Sequence, residues 1–186
     1  MAWIAPAGRL AASQSSNTAA AAMPNDFLIS LFEHKAWCNR GLIAALRAAP
    51  EDVDRGRMAV VLLTLDHTAI VDQIFQARLS GAEPGFEAVV AARLPDLDAL
   101  AATMAATDAW YLDYARRVTA AELERVVDFT FVDEGDAGRM TKGQMLAHVI
   151  THSASHRGAI GKMLEALKVA GASDMVTSFV RETRRA

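Results

Sequence analysis

Four long stretches of the chain carry apolar residues at the three- and four-residue spacing of an α-helix. The spacing predicts helices over residues 26–49, 57–79, 96–118 and 142–170. In each stretch the apolar positions form one stripe, which is typical of helices that bury one side against their neighbours. Pro50 ends the first stretch. Four such helices with modest connections predict an all-α protein, built as an antiparallel-type four-helix bundle.

Two sequence signatures mark where helices begin. Thr119 with Glu122, and Thr141 with Gln144, each have the spacing of a capping box, in which the two side chains satisfy each other's free amides. The first predicts a short helical turn and the second opens the fourth long helix. Gly171 is predicted to close that helix in the C-terminal glycine position.

A short non-helical segment is predicted before the fourth long helix. Residues 126–132 are apolar and β-branched with imperfect alternation, and Gly135 and Gly138 interrupt the pattern. This favours a small β-hairpin or an extended loop. Residues 176–185 predict one more short helix.

The N-terminus differs in character from the rest of the chain. Residues 1–24 are small, polar and weakly patterned, so we interpret them as a loose extension, with the bundle domain over residues 25–186. Met23 is an alternative start to Met1. An export signal that ends at residues 20–22 is the competing interpretation, but a basic start and a solid apolar core are lacking.

Composition narrows the class of protein. A chain of 186 residues, 52% of them hydrophobic, suffices for one domain with a real core. The net charge of −3 disfavours binding to nucleic acid, and the basic tail Arg181, Arg184 and Arg185 is too short to reverse this. No stretch approaches the length of continuous apolar sequence that a membrane helix needs. The single cysteine, Cys38, excludes an internal disulfide and favours a reducing, cytoplasmic location.

The histidines carry the candidate chemistry. His148, His152 and His156 are spaced four residues apart, so adjacent members point the same way from a helix. Two such imidazoles, either His148/His152 or His152/His156, can bind one metal ion. His67, in the middle of the apolar second helix, is the best candidate for a third ligand. The alternative is a solvent-facing polar row, and His34 is interpreted as an ordinary polar residue.

Two known classes of helix-borne metal site are excluded. The chain has no His-Glu-x-x-His, so the general base of that metalloprotease class is absent. It also has no Glu-x-x-His, which the ferritin-like di-iron bundles require.

In combination these segments resemble the DinB/YfiT-like family. Residues 148–161 are similar to its fourth-helix signature of three histidines followed by Arg-Gly, residues 35–40 to its first-helix Ala-Trp-Ala-Asn motif, and residues 65–79 to its second-helix histidine segment. The match runs in order from about Phe27 to the C-terminus. Cys38 stands where the family commonly has Ala. The other departures from the signature are Thr151, Ser155, Ala159 and Gly161.

The resemblance implies a four-helix bundle that holds one divalent metal ion. Carried over by position, the ligands are His67, His152 and His156, and relatives are often homodimers. The resemblance also assigns residues to the pocket or to the surroundings of the ligands, namely His148, Arg157, Trp37 and Asn39. Packing and an interhelical hydrogen bond are the alternative for Trp37 and Asn39, and Arg157 is expected to hold a carboxylate or to meet an anionic substrate.

Two functions follow as hypotheses. Some relatives are thiol transferases or isomerases, so the first is a metal-dependent enzyme of thiol S-transferase or hydrolase type that acts on a small molecule with a low-molecular-weight thiol. The second is a metal-binding stress or interaction protein without turnover. Imidazole ligands suit zinc, nickel, copper and iron alike, so the ligand type does not name the metal. Zinc or nickel is our first expectation, with manganese or iron as further candidates. For the unassigned general base, Glu33, Asp66 and Asp72 are candidates by proximity to the motifs.

Overall fold

The computed structural model describes residues 25–184, so the predicted extension over residues 1–24 lies outside the described residues. Within that range the chain forms six helices and one antiparallel hairpin, which confirms the all-α class and the predicted hairpin. The elements are α1 (Asp26–Arg47), α2 (Arg55–Ser80), α3 (Leu97–Arg117), α4 (Ala120–Leu123), β1 (Val126–Thr130), β2 (Ala137–Thr141), α5 (Lys142–Ala166) and α6 (Val176–Thr183).

Both predicted capping boxes are present. The Thr119 hydroxyl accepts a hydrogen bond from the Glu122 amide, and the Glu122 carboxylate accepts one from the Thr119 amide. Thr141 and Gln144 make the same reciprocal pair at the start of α5, at 3.1 and 2.8 Å. These pairs satisfy amide groups that have no partner within the helix.

The predicted end of α5 is wrong. The helix ends at Ala166, and Lys168, not Gly171, adopts the left-handed conformation after it, with φ of 57°. The Val169 amide then donates to the Leu164 carbonyl at 2.9 Å, and the Val169 side chain enters the core. Burial of Val169 against Leu164 therefore favours an early stop, as the apolar contact does in many helix C-termini.

The four long helices are not all antiparallel to their neighbours. Helix α1 packs chiefly on α3 and α5, and α2 packs on α5 and α3, so that α1 and α2 occupy opposite corners. A first apolar cluster lies at one end of the bundle and a second at the other end. Helices α1 and α5 run from the first cluster to the second, and α2 and α3 run in the opposite direction. The connection 81–96 between α2 and α3 must therefore travel the length of the bundle.

The apolar core is divided in two. The first cluster is built around Phe32, Val71, Phe75, Leu79, Tyr111, Met145 and Val149. The second is built around Leu42, Leu46, Val61, Leu65, Leu100, Met104, Ile160 and Leu164. On every long helix buried polar side chains lie where the two clusters meet.

This polar layer, defined by Lys35, Asp72, Asp108, Tyr111 and Ser153, joins all four long helices. The Lys35 ammonium, 2% exposed, lies 2.7 Å from the Asp72 carboxylate and 2.6 Å from that of Asp108. The Tyr111 hydroxyl donates to the Asp72 carbonyl and the Ser153 hydroxyl to the Asp72 carboxylate. Burial by itself lowers the pKa of Lys35, but the two carboxylates outweigh it and raise that pKa, so the ammonium stays charged.

Helix α2 is long and apolar enough to cross a membrane by length and composition alone. Half of that apolar window is buried inside the bundle, and Asp72 and Thr68 of the same helix point into the core. Its composition is therefore accounted for by its packing as a core helix.

We expect Lys35→Met to lower the free energy of unfolding by about 3–5 kcal/mol, because the two buried carboxylates lose their counter-charge. Arg47→Met is the matched control, since it removes an exposed partner of Asp98 and should cost at most about 1 kcal/mol. Urea unfolding at pH 7 measures both. Equal losses in the two variants would contradict a stabilising role for the layer.

Candidate metal centre

The antiparallel contact of α2 with α5 brings three of the predicted ligands together. The Nε2 atoms of His67 and His152 lie 3.2 Å apart. The ring centroid of His156 is 4.8 Å from that of His67 and 4.4 Å from that of His152. One nitrogen of each ring lies within 4.8 Å of the others, so the three histidines could hold a metal ion.

A backbone carbonyl determines the tautomer of His67. The Nδ1 of His67 lies 2.8 Å from the carbonyl oxygen of Val89, in the connection that travels along the bundle. A carbonyl only accepts, so Nδ1 carries the proton and Nε2 presents its lone pair to His152. Histidines that bind metal ions commonly donate their other N–H to a carbonyl or carboxylate in this way.

The donor set fits a divalent ion. Tetrahedral coordination with metal–nitrogen bonds of about 2.0–2.1 Å places ligand nitrogens about 3.3 Å apart, close to the His67–His152 separation. A hydrogen bond between the Nε2 atoms of His67 and His152 would involve only those two rings. An ion could bind His156 as well. Three protein ligands leave further coordination positions open, as catalytic sites do.

The imidazoles of α5 are held in the neutral form that binds metals. Burial, together with the neighbouring rings of His156, His148 and His67, lowers the pKa of His152 to about 3. Burial also lowers the pKa values of His148 and His156. At neutral pH these rings therefore carry no charge, and their lone pairs are free for a ligand.

A cavity of about 400 Å³ opens beside His148 and His152. Its walls come from α2, from the hairpin and from the connection 81–96, and they are largely apolar and aromatic. Phe75 and Phe129 contribute rings, and the Arg78 guanidinium lies 4.7 Å over the Phe129 ring. The volume suits a small molecule.

The structure separates the other predicted pocket residues. The His148 ring lies 5.2 Å from that of His152 and 4.7 Å from that of Phe75, so His148 lines the cavity. Trp37 packs against Phe179, and its indole N–H donates to Glu182. These last contacts join α1 to α6 and do not involve His67, His152 or His156.

Asn39 and Arg157 belong to the interior of the bundle. The Asn39 amide donates to the Asp108 carboxylate at 2.9 Å, which is an interhelical hydrogen bond. Arg157 binds both carboxylate oxygens of Asp174 at 3.1 Å. A Cβ at Gly158 would meet nothing within 4 Å in the part of the chain described, so close helix packing does not account for that glycine.

The three candidate bases differ in their surroundings. Asp72 is engaged by Lys35, and Glu33 is an exposed residue of α1 that lines a groove against α6. Burial raises the pKa of Asp66, next to His67 in sequence, and its Oδ2 is buried with no partner in residues 25–184. Of the three, Asp66 has the most unusual environment.

Several contributors to the site were not predicted from the sequence. The Val89 carbonyl is a backbone group in a segment without periodicity, so no side-chain signal exists for it. Phe75 and Phe129 are ordinary apolar residues of a helix and a strand. Only the fold shows that these elements meet beside the histidines.

We expect metal-free protein to lose stability as the pH falls from about 6.5 towards about 3. Unfolded histidines bind protons below about pH 6.5, whereas folded His152 stays neutral down to about pH 3, so protons favour the unfolded state in this window. Urea midpoints at pH 7 and pH 5 measure the effect. His152→Gln should make the decline shallower, and identical declines in both proteins would refute this assignment.

Comparison with known proteins gives one finding. The family model of the DinB superfamily matches residues 28–160, which span α1 to most of α5 and include all three histidines of the centre. Comparisons with curated proteins and with solved structures give no match. Because the match covers more than half of the chain, the protein belongs to the DinB superfamily.

Proposed function

We propose that this protein is a metal-dependent enzyme of thiol S-transferase or hydrolase type, with one divalent ion held by His67, His152 and His156. The observation that carries the proposal is the pair of imidazole nitrogens 3.2 Å apart, one of them held as a lone-pair donor by the Val89 carbonyl. Zinc or nickel is the preferred ion, with manganese or iron as alternatives. When bound, the ion lowers the pKa of a water or thiol and so supplies a nucleophile at neutral pH.

The adjoining cavity favours an enzyme over the alternative, a metal-binding stress or interaction protein without turnover. A storage or structural ion is expected in a closed shell of four protein ligands. Here three histidines supply nitrogens, and a cavity of about 400 Å³ reaches His148 and His152. Phe75 and Phe129 offer an apolar surface for the body of a small substrate, and Arg78 adds a positive group.

The remaining features of the proposal concern partners and location. The co-substrate is a low-molecular-weight thiol, and the protein acts as a homodimer, as family members often do. It acts on neither nucleic acid nor membranes, in line with the net charge of −3. A cytoplasmic location is in keeping with the single cysteine.

We expect His67→Ala, His152→Ala and His156→Ala each to lower the bound metal by one equivalent per chain. His148→Ala should keep it, because His148 lines the cavity and is not among the three grouped nitrogens. Elemental analysis of metal-loaded protein after exhaustive dialysis measures the content. Loss of metal in His148→Ala with retention of metal in His156→Ala would show that the ion binds the His148/His152 pair. Retention of metal in every variant would refute the proposed centre.

We expect Gly138→Ala to raise the KM for the small substrate at least about tenfold while the metal content stays unchanged. An added Cβ would lie 2.4 Å from the Phe129 ring, so that ring must move within the cavity wall. Gly158→Ala is the matched control, because its Cβ meets nothing within 4 Å in residues 25–184. The assay follows thiol consumption by metal-loaded protein with an electrophilic substrate. An unchanged KM in Gly138→Ala would separate the cavity from the reaction.

A further inference from the structure

A second group of metal-binding side chains lies on the other side of α5, between α1 and the segment before α6. His34 and Cys38 are four residues apart on α1, so both project from one face. Asp174 lies opposite them, two residues before the start of α6. One ligand atom of each residue lies within 4.8 Å of the others.

The distances suit a single tetrahedral ion. The Nε2 of His34 is 3.2 Å from the Cys38 sulfur and 3.9 Å from the Asp174 Oδ1. Metal bonds of about 2.0–2.3 Å place sulfur, nitrogen and oxygen ligands about 3.3–3.6 Å apart. Shifts of a few tenths of an ångström would therefore bring the His34 nitrogen to ligand–ligand distance from the other two atoms, and the Cys38 sulfur already lies within 4.8 Å of an Asp174 oxygen. Thiolate, imidazole and carboxylate together are a donor set typical of zinc.

Neighbouring residues hold these ligands in place. Arg157 binds both oxygens of Asp174 and so fixes the carboxylate, whose oxygens each keep a further lone pair. The His34 ring packs against Trp37 and Phe179, with centroids 6.1 and 5.7 Å away. Hydrogen bonding and packing of this kind orient metal ligands in known sites.

The site has room for a fourth ligand and a route for entry. A cavity of about 20 Å³ lies between Cys38, Arg157 and Asp174, enough for one water molecule. The Cys38 side chain is buried, but a third of the Asp174 side chain is exposed. An ion can therefore enter past Asp174 and reach the sulfur.

We propose that His34, Cys38 and Asp174 form a second metal site, which takes one zinc-like divalent ion and fastens the segment before α6 to α1. Binding forms a metal–sulfur bond, and the thiol proton leaves to solvent, so no oxidant or reductant is needed. The second group shares no residue with the first centre. The second site stands or falls independently of the proposed enzyme.

Cobalt(II) distinguishes the two sites by their ligands. Metal-free protein in a thiol-free, oxygen-free buffer is titrated with cobalt(II) alone, and absorption is recorded. We expect two equivalents to bind, one of which adds thiolate-to-cobalt charge transfer in the near ultraviolet. Cys38 is the single cysteine of the chain, and the first centre contains no sulfur, so this band reports only the second site.

The variants test each ligand. Cys38→Ala should lose the band and one equivalent, whereas His152→Ala should keep the band and lose the other equivalent. His34→Ala and Asp174→Asn should raise the cobalt concentration for half-saturation of the band by at least about tenfold. Circular dichroism of the metal-free variants checks that they fold.

Three results would overturn the proposal. The first is wild-type protein that shows no charge-transfer band in excess cobalt. The second is a band that saturates at the wild-type concentration in both His34→Ala and Asp174→Asn, since Cys38 would then bind the ion without them. The third concerns the fastening of α6 (Val176–Thr183). We expect metal to slow hydrogen exchange in this helix in the wild type but not in Cys38→Ala. Equal exchange in the wild type with and without metal would refute the proposal.

Discussion

The charged contact of Lys35 with Asp72 and Asp108 is the constraint on which the rest of the bundle depends. It places an ammonium and two carboxylates in the centre of the core, where each would be very costly alone. The charges are compensated only when α1, α2 and α3 stand in one register, and the Ser153 hydroxyl extends that requirement to α5. An apolar core of the same volume would tolerate sliding of one helix along another. We infer that this layer, more than the two apolar clusters, selects the register of the four helices.

Both groups of candidate metal ligands lie at the height of this layer. His67 precedes the buried Thr68 and Asp72 on α2, and His152 adjoins Ser153, which is hydrogen-bonded to Asp72. Because the same contact fixes α2 against α5, the nitrogens of His67 and His152 meet at 3.2 Å without a loop to carry either of them. On the other side of α5, Arg157 lies between Asp174 of the second group and Asn39, which is hydrogen-bonded to Asp108 of the layer. Helices whose register is fixed can hold ligands more precisely than loops can.

The sequence was sufficient for the elements and for the histidine row, because helical spacing and capping boxes are local signals. It was insufficient for features that depend on the direction in which a connection runs or on contacts of the backbone. Nothing local distinguishes a short return from a connection that crosses the bundle, so the parallel course of α2 and α3 was not predicted. The end of α5 was missed because burial of Val169 outweighed the usual preference for glycine. Residue spacing also left His148 and His156 as equal partners for His152, and only the antiparallel pairing with α2 brings His156 against His67.

The crossing connection links the cavity to the candidate metal ligands through a single residue. The Val89 carbonyl accepts the Nδ1 proton of His67, while the Val89 amide donates to the Asp133 carboxylate in the turn of the hairpin, at 3.1 Å. Asp133 holds a left-handed backbone, with φ of 76°, and lines the same cavity as Phe129. A group that enters the cavity and moves this turn therefore acts on the hydrogen bond that orients His67. Asp133 of the cavity wall, Val89 and His67 therefore form one hydrogen-bonded chain. Metal sites commonly depend on such contacts behind their ligands.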